Sequence, residues 1–375
     1  MRSFSTSGQV RARLYATAHR WIGLVLAALW AVQGLTGAAL VFHDELDELL
    51  NPHFTSERCT GNATVADVAA AAQRTAGGSR VERIAAGKDE RCIYSVRVRS
   101  TAGATLEVIV HAADASVLGV RSWQGDFTRA GLPRLIYTYH RDMLLGRNGM
   151  NLLGISGMFL LATLLLGARV GWPRKQSWRA ALRIPWRAPA QASLYAMHRS
   201  TGLVAGVFLL MSAITGIYLV WSTPVRVAVS QVVPHSMTPD MRSAEPTGNW
   251  LGIDAALARA RAEFPQARLA VITPPNATNG VYAVRFRQPG EIRRVAGTTE
   301  VVIDAHSGAV LHRHDAIHQP TSNHVIDALF PLHTGELGGL ITRIATALVG
   351  LALAGLCATG VWRFCVRKVR SKRRS

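Results

Sequence analysis

Four stretches of this chain are long, apolar and free of acidic residues: Trp21–Phe42, Gly149–Val170, Gly202–Trp221 and Ile341–Val361. Each is close to the ~20 residues that cross the hydrocarbon core of a bilayer. A buried soluble helix is the alternative for any one of them. Four in one chain point instead to an α-helical integral membrane protein, because runs of ~18 or more apolar residues are a membrane signal.

Charge orients the spans. Lys and Arg number 42 against 23 Asp and Glu, a formal net charge of +19. The excess clusters at span ends. Arg11, Arg13 and Arg20 precede the first span, Arg169, Arg174, Lys175, Arg179, Arg183, Arg187 and Arg199 lie between the second and third, and Arg363, Arg367, Lys368 and Arg370 follow the fourth. Asp44, Glu45, Asp47 and Glu48 come directly after the first span. The positive-inside rule then places both termini and the 171–200 loop in the cytoplasm. Arg134, Arg141 and Arg147 on the outer side run slightly against it. The basic balance is explained by topology, so no nucleic-acid partner is needed. The first span is expected to be retained, since it is long for a signal peptide.

The chain also repeats itself. Leu14-Tyr15-Ala16 and His19-Arg20 return as Leu194-Tyr195-Ala196 and His198-Arg199, and Thr36-Gly37 returns as Thr215-Gly216. His198 follows His19 by 179 positions, and Gly216 follows Gly37 by the same 179. Further on, Glu107-Val108-Ile109-Val110 returns as Glu300-Val301-Val302-Ile303, and His140 as His333, both 193 positions later. The larger offset implies an insertion in the second outer region. Each half crosses the membrane twice, so the expected architecture is a four-helix transmembrane bundle built from a tandem parallel repeat.

Two small α+β domains are expected outside the membrane. Thr64 caps a helix running to about Thr75, with strands at 92–99 and 105–110. The second domain reads as a helix near Ile253–Phe264 and strands near Arg268–Thr273, Val281–Arg287 and Glu300–Ile303. The layout is a cytoplasmic N-terminus and first span at 1–43, an outer domain at 44–131, a pre-span helix and second span at 132–170, and a cytoplasmic loop at 171–200. The third span is 201–221, the second outer domain 222–330, the fourth span 331–362 and the basic tail 363–375. In an oxidising compartment Cys59 and Cys92 favour a bridge; two buried thiols are the alternative.

Repeat symmetry singles out four of the 13 histidines. His19 and His198 stand at the cytoplasmic ends of equivalent helices, and His140 and His333 just outside equivalent helices on the opposite face. An axis relating the halves would make each pair face across the bundle, as the axial ligands of a six-coordinate haem do. The plainer reading is four interfacial histidines that anchor helix ends. Thr36-Gly37 and Thr215-Gly216 would admit a flat macrocycle or simply allow close helix packing. Arg20 and Arg199 on one side, with Arg147 and Arg343 on the other, are candidates for haem propionates or for snorkelling. His43 lacks a symmetric mate, its counterpart being Ser222. His306, His312, His314, Asp315, His318 and His324 form a second cluster, with His312 and His314 on one face of a strand and His314 and His318 on one face of a helix.

These motifs resemble those of the PepSY-associated transmembrane helix family, often called iron-regulated membrane proteins. The resemblance rests on His19-Arg20-Trp21-Ile22-Gly23 with Thr36-Gly37, His140-Arg141-Asp142-Met143-Leu144-Leu145-Gly146 with Gly171-Trp172-Pro173, His198-Arg199 with Thr215-Gly216, and Leu332-His333-Thr334-Gly335-Glu336 with Thr359-Gly360-Val361-Trp362. Val302 to Leu311 looks like the closing PepSY hairpin, while its partner near His111–Leu118 lacks the Ser-Gly turn. The resemblance implies two periplasmic PepSY-like domains on a four-helix bundle in a bacterial inner membrane. In the reductase branch it implies two haem b groups and reduction of ferric siderophores to release iron. His19, His198, His140 and His333 would then be the haem iron ligands. No Cys-x-x-Cys-His is present, so attachment would be non-covalent. Some relatives carry a flavin reductase module; here the electron donor is expected to be separate, a cytoplasmic reductase or a quinol. The competing classes are a non-enzymatic sensor, binding or protease-modulating protein, and a transporter subunit for siderophore or iron uptake.

Overall fold

The computed structural model describes residues 6–372 apart from 57–59, 79, 89–90, 174–176, 238, 245–248 and 294. In chain order come α1 (Thr6–Leu40), α2 (His43–Leu50), α3 (Val65–Thr75), strands β1 (Arg80–Ala86), β2 (Ile93–Arg99), β3 (Thr105–His111) and β4 (Val117–Ser122), then α4 (Leu132–Asp142) and α5 (Gly146–Gly171). The second half has α6 (Trp178–Leu182), α7 (Ala190–Val220), α8 (Ser222–Ser230), α9 (Ile253–Glu263), β5 (Arg268–Thr273), β6 (Val281–Arg287), β7 (Thr299–Asp304), β8 (Val310–His314), α10 (Thr321–Thr334) and α11 (Gly339–Lys372). The chain divides into a helical unit (Met1–Phe42, Tyr139–Ser222, Leu332–Ser375) and an α+β unit (His43–Thr138, Thr223–Pro331).

In the helical unit, α1, α5, α7 and α11 are long and apolar enough to cross a membrane. Each begins before the apolar run that marks it in the sequence; α5 and α11 also end past theirs, while α1 and α7 stop just short. Helix α1 packs against α5 and α11, and α7 packs against the same two. The four therefore close a ring in which α1 lies diagonally across from α7, and α5 from α11. Glycine sets one of these contacts. A Cβ on Gly34 would collide with the Gly350 carbonyl oxygen, and one on Gly350 with that of Gly34, so α1 and α11 touch backbone to backbone. Many outward positions, such as Val25, Val207 and Ile341, carry large exposed apolar side chains, as a lipid-facing surface does. Between α4 and α5 the chain turns through Met143 and Leu144, both at positive φ (55° and 63°). Asp142 holds that turn by accepting a hydrogen bond from the Leu144 N–H at 3.0 Å.

In the α+β unit a helix followed by four strands occurs twice. All eight strands form one antiparallel sheet in the order β4-β3-β2-β1-β5-β6-β7-β8. The two expected α+β regions thus share a sheet, joined where Ile84 pairs with Ile272 and Ala85 with Val271. They also share one core, in which Val68, Ile84, Val96 and Val108 from the first half meet Ile272, Val284, Phe286 and Ile303 from the second. Burying each such side chain contributes about 1.5–3 kcal/mol. Thr64 caps α3 in a reciprocal box with Asp67. Asp254, in the first turn of α9, also accepts from the Val65 and Ala66 N–H groups at 3.0 and 3.2 Å, tying the two helices together.

Strand β1 escapes a period-two reading because a bulge shifts its register between Val81 and Arg83. Its two buried residues, Val81 and Ile84, are therefore three apart rather than two or four. Cys92 is disulfide-bonded, and Cys59 lies outside the described residues. Arg121 is buried between Glu107 (2.7 Å) and Asp47 (2.8 Å), and Arg134 also reaches Glu107 (3.1 Å). Burial alone would raise the Glu107 carboxyl; Arg134 and Arg121 outweigh it and hold the group below the ordinary carboxylate range.

Candidate functional site

The helical unit brings the four histidines together in two pairs. At one end are His140, near the end of α4, and His333, near the end of α10, with ring centroids 6.4 Å apart. His140 Nδ1 lies 3.0 Å from Thr36 Oγ1 on α1. The Thr36 hydroxyl gives its single proton to the Val32 carbonyl at 2.8 Å, so it accepts from His140 Nδ1–H. The other half matches this. His333 Nδ1 lies 3.0 Å from Thr215 Oγ1 on α7, and Thr215 donates to the Met211 carbonyl at 2.8 Å. Each ring also lies against the glycine next to its threonine. A Cβ on Gly37 would stand 3.0 Å from His140 Cε1, and one on Gly216 3.2 Å from His333 Cε1.

The second pair is His19 on α1 and His198 on α7, with centroids 6.1 Å apart. These helices are diagonal in the ring, so the imidazoles meet across its middle. Main-chain carbonyls receive both Nδ1–H groups: Thr163 O at 3.0 Å from His19 and Leu356 O at 3.1 Å from His198. Thr359 Oγ1 is also 3.1 Å from His198 Nδ1. Again a glycine lies under each ring, Gly167 below His19 and Gly360 below His198. From His19 to Gly37, α1 climbs about 27 Å at 1.5 Å per residue. The two pairs are thus separated by roughly the thickness of a bilayer core, about 30 Å.

All four imidazoles spend Nδ1–H on the protein. This assigns the tautomer and leaves Nε2 with its lone pair for a metal, the arrangement usual for metal-binding histidines. Two imidazoles on opposite sides of one metal, each at a bond of about 2 Å, have ring centroids about 6 Å apart. Both observed separations meet that. Among the described residues, no three His, Cys, Asp or Glu side chains gather at one point. A lone imidazole pair suits a metal that brings its other ligands with it, as the iron of a porphyrin does. These residues therefore fit haem.

Other candidates fall elsewhere. Arg199 donates to the Gly171 carbonyl at 2.9 Å, Arg343 donates to Val41 O at 2.7 Å, and Arg20 lies over the Trp21 ring, so the first two cap helix ends. Arg147 is exposed. His43 belongs to the α+β unit, where it bonds Asp44 at 3.2 Å and packs edge-on to Tyr137. His312, His314 and His318 line a cavity of about 560 Å³ in that unit. His314 and His318 share no helical face, because the chain bends rather than coils over 315–319 before Pro320. His318 bonds Asp315 at 3.0 Å; burial would raise the Asp315 carboxyl, but bonds from His318, Gln288 and the Ile317 N–H bring it down to about 2.

The model of the PepSY-associated TM region matches residues 16–367, nearly the whole chain and all four paired histidines. The protein belongs to the PepSY-associated TM family. It is accordingly a membrane protein with a PepSY-like part. No curated protein matches the chain. Within this PepSY-associated TM protein, the residues that sequence reasoning missed are the Nδ1 acceptors Thr163 and Leu356 and the supporting Gly167. The Thr-Gly dipeptides were visible, but not their task, which is to hold an imidazole from another helix.

Proposed function

We propose that this protein is a two-haem membrane reductase that passes electrons across a bacterial inner membrane to ferric siderophores, releasing iron on the periplasmic side. The carrying observation is the two imidazole pairs, at opposite ends of one bundle, each with Nδ1–H engaged and centroids about 6 Å apart. Bound haem b would supply one-electron chemistry that the side chains cannot. His19 and His198 would hold it at the cytoplasmic end, and His140 and His333 at the periplasmic end. The threonines and carbonyls at Nδ1 keep each ring in its tautomer, and the glycines beneath let the rings enter the bundle. Reduction alone weakens a ferric siderophore, because its hard oxygen ligands hold the less charged ferrous ion poorly. The reading therefore calls for no nucleophile or general base, and it calls for a separate electron donor, a cytoplasmic reductase or a quinol. The tandem repeat read in the sequence supports it too, since one helix pair used twice yields matched sites at two depths.

The test is a visible spectrum of purified protein before and after dithionite, followed by a ferric siderophore and a ferrous trap. Low-spin b-type bands that reoxidise as the trap colours are expected. Protein without haem, or reduced haem unmoved by several ferric siderophores, would favour a sensor or binding protein.

A further inference from the structure

We propose that Thr36 and Thr215 are positioning residues that fix the His140 and His333 imidazoles and set the reduction potential at that end of the bundle. The inference rests on reading the histidines as haem ligands. Both hydroxyls sit 3.0 Å from an imidazole Nδ1, and both are committed as donors to a helix carbonyl. A hydroxyl that donates in this way is polarised into a better acceptor. Accepting Nδ1–H makes the imidazole more basic, which favours a ferric over a ferrous metal.

The opposite end is built differently. There the bonds to His19 and His198 come from main-chain carbonyls, which no side-chain substitution removes. Only His198 has a threonine hydroxyl, that of Thr359; the position 193 residues earlier is Leu166. One end therefore depends on two replaceable hydroxyls and the other on one. The Gln33 and Ser212 carbonyls also interact with the His140 and His333 rings, so losing a hydroxyl weakens the hold on Nδ1 without freeing the ring.

The experiment is a potentiometric titration of the full-length protein and of Thr36→Val, Thr215→Val, the double variant and Thr359→Val. Valine keeps the shape and removes the hydroxyl. Wild type must first show two b-type haems; if it does not, the functional reading fails rather than this inference. Both haems should persist in the double variant, with one midpoint raised by about 59 mV, a tenfold change in a one-electron equilibrium. Thr359→Val should move only the other midpoint. Thr36→Ser and Thr215→Ser should restore the native value. Loss of one haem from a valine variant, with the serine variant intact at native potential, supports the same role. Unmoved midpoints with both haems retained, or serine variants that behave like valine, would overturn it.

Discussion

A glycine under each imidazole makes the histidines sensitive to changes on helices they do not belong to. At Gly37 even a Cβ would stand 3.0 Å from His140 Cε1. Valine there adds two methyl groups in the space of the ring, and its stiff χ1 gives it no way around. Gly37→Val should therefore push His140 off its line to His333 and cut haem content by about half, with the remaining haem spectrally native. Gly206 has nothing near its missing Cβ and serves as the control. Absorbance per protein checks both. Equal haem loss from Gly37→Val and Gly206→Ala would mean that general helix packing, not room for the ring, is what the glycine provides.

Elements differ in how plainly the sequence announces them. Long apolar runs mark the spanning helices, and Thr64 with Asp67 marks the start of α3, because both signals are local. Strand β1 is hidden by its bulge. Its pairing with β5 is hidden too, since it joins residues nearly 190 positions apart through only two registered pairs, Ile84 with Ile272 and Ala85 with Val271. The histidine pairs were legible from the repeat, at an offset of 179 for His19 and His198 and of 193 for His140 and His333. Their Nδ1 partners were not, because a hydroxyl on one helix meets a ring from another, 104 residues away for Thr36 and His140. The β1–β5 junction has an energetic consequence. Ile84 is fully buried where the two halves of the sheet meet, so Ile84→Ala should cost about 2–5 kcal/mol and loosen both halves. Val117→Ala, on the exposed edge strand β4, should stay within about 0.5 kcal/mol. Thermal unfolding with limited proteolysis of the full chain checks this, and cleavage confined to residues 80–122 would contradict a shared core.

At the scale of the whole molecule, two imidazole pairs set about 27 Å apart along α1 divide the proposed work into uptake and discharge of an electron. That division can be separated experimentally. His19→Ala removes the proposed haem ligand at one end and leaves His140 and His333 with their threonine bonds intact. Membranes carrying it should lose reduction driven by the cytoplasmic donor. The same protein, once reduced by dithionite, should still be reoxidised by a ferric siderophore at close to the native rate, because the remaining pair is the one proposed to face the substrate. His140→Ala should fail in both assays. The order matters, since it follows from the topology expected from the Lys and Arg distribution: the end near His19 carries Arg11, Arg13 and Arg20 and is the one proposed to face the cytoplasm under the positive-inside rule. If His19→Ala and His140→Ala exchanged these phenotypes, the electron route would stand and its direction would be reversed. If both retained donor-driven reduction, the paired histidines would not be the path at all.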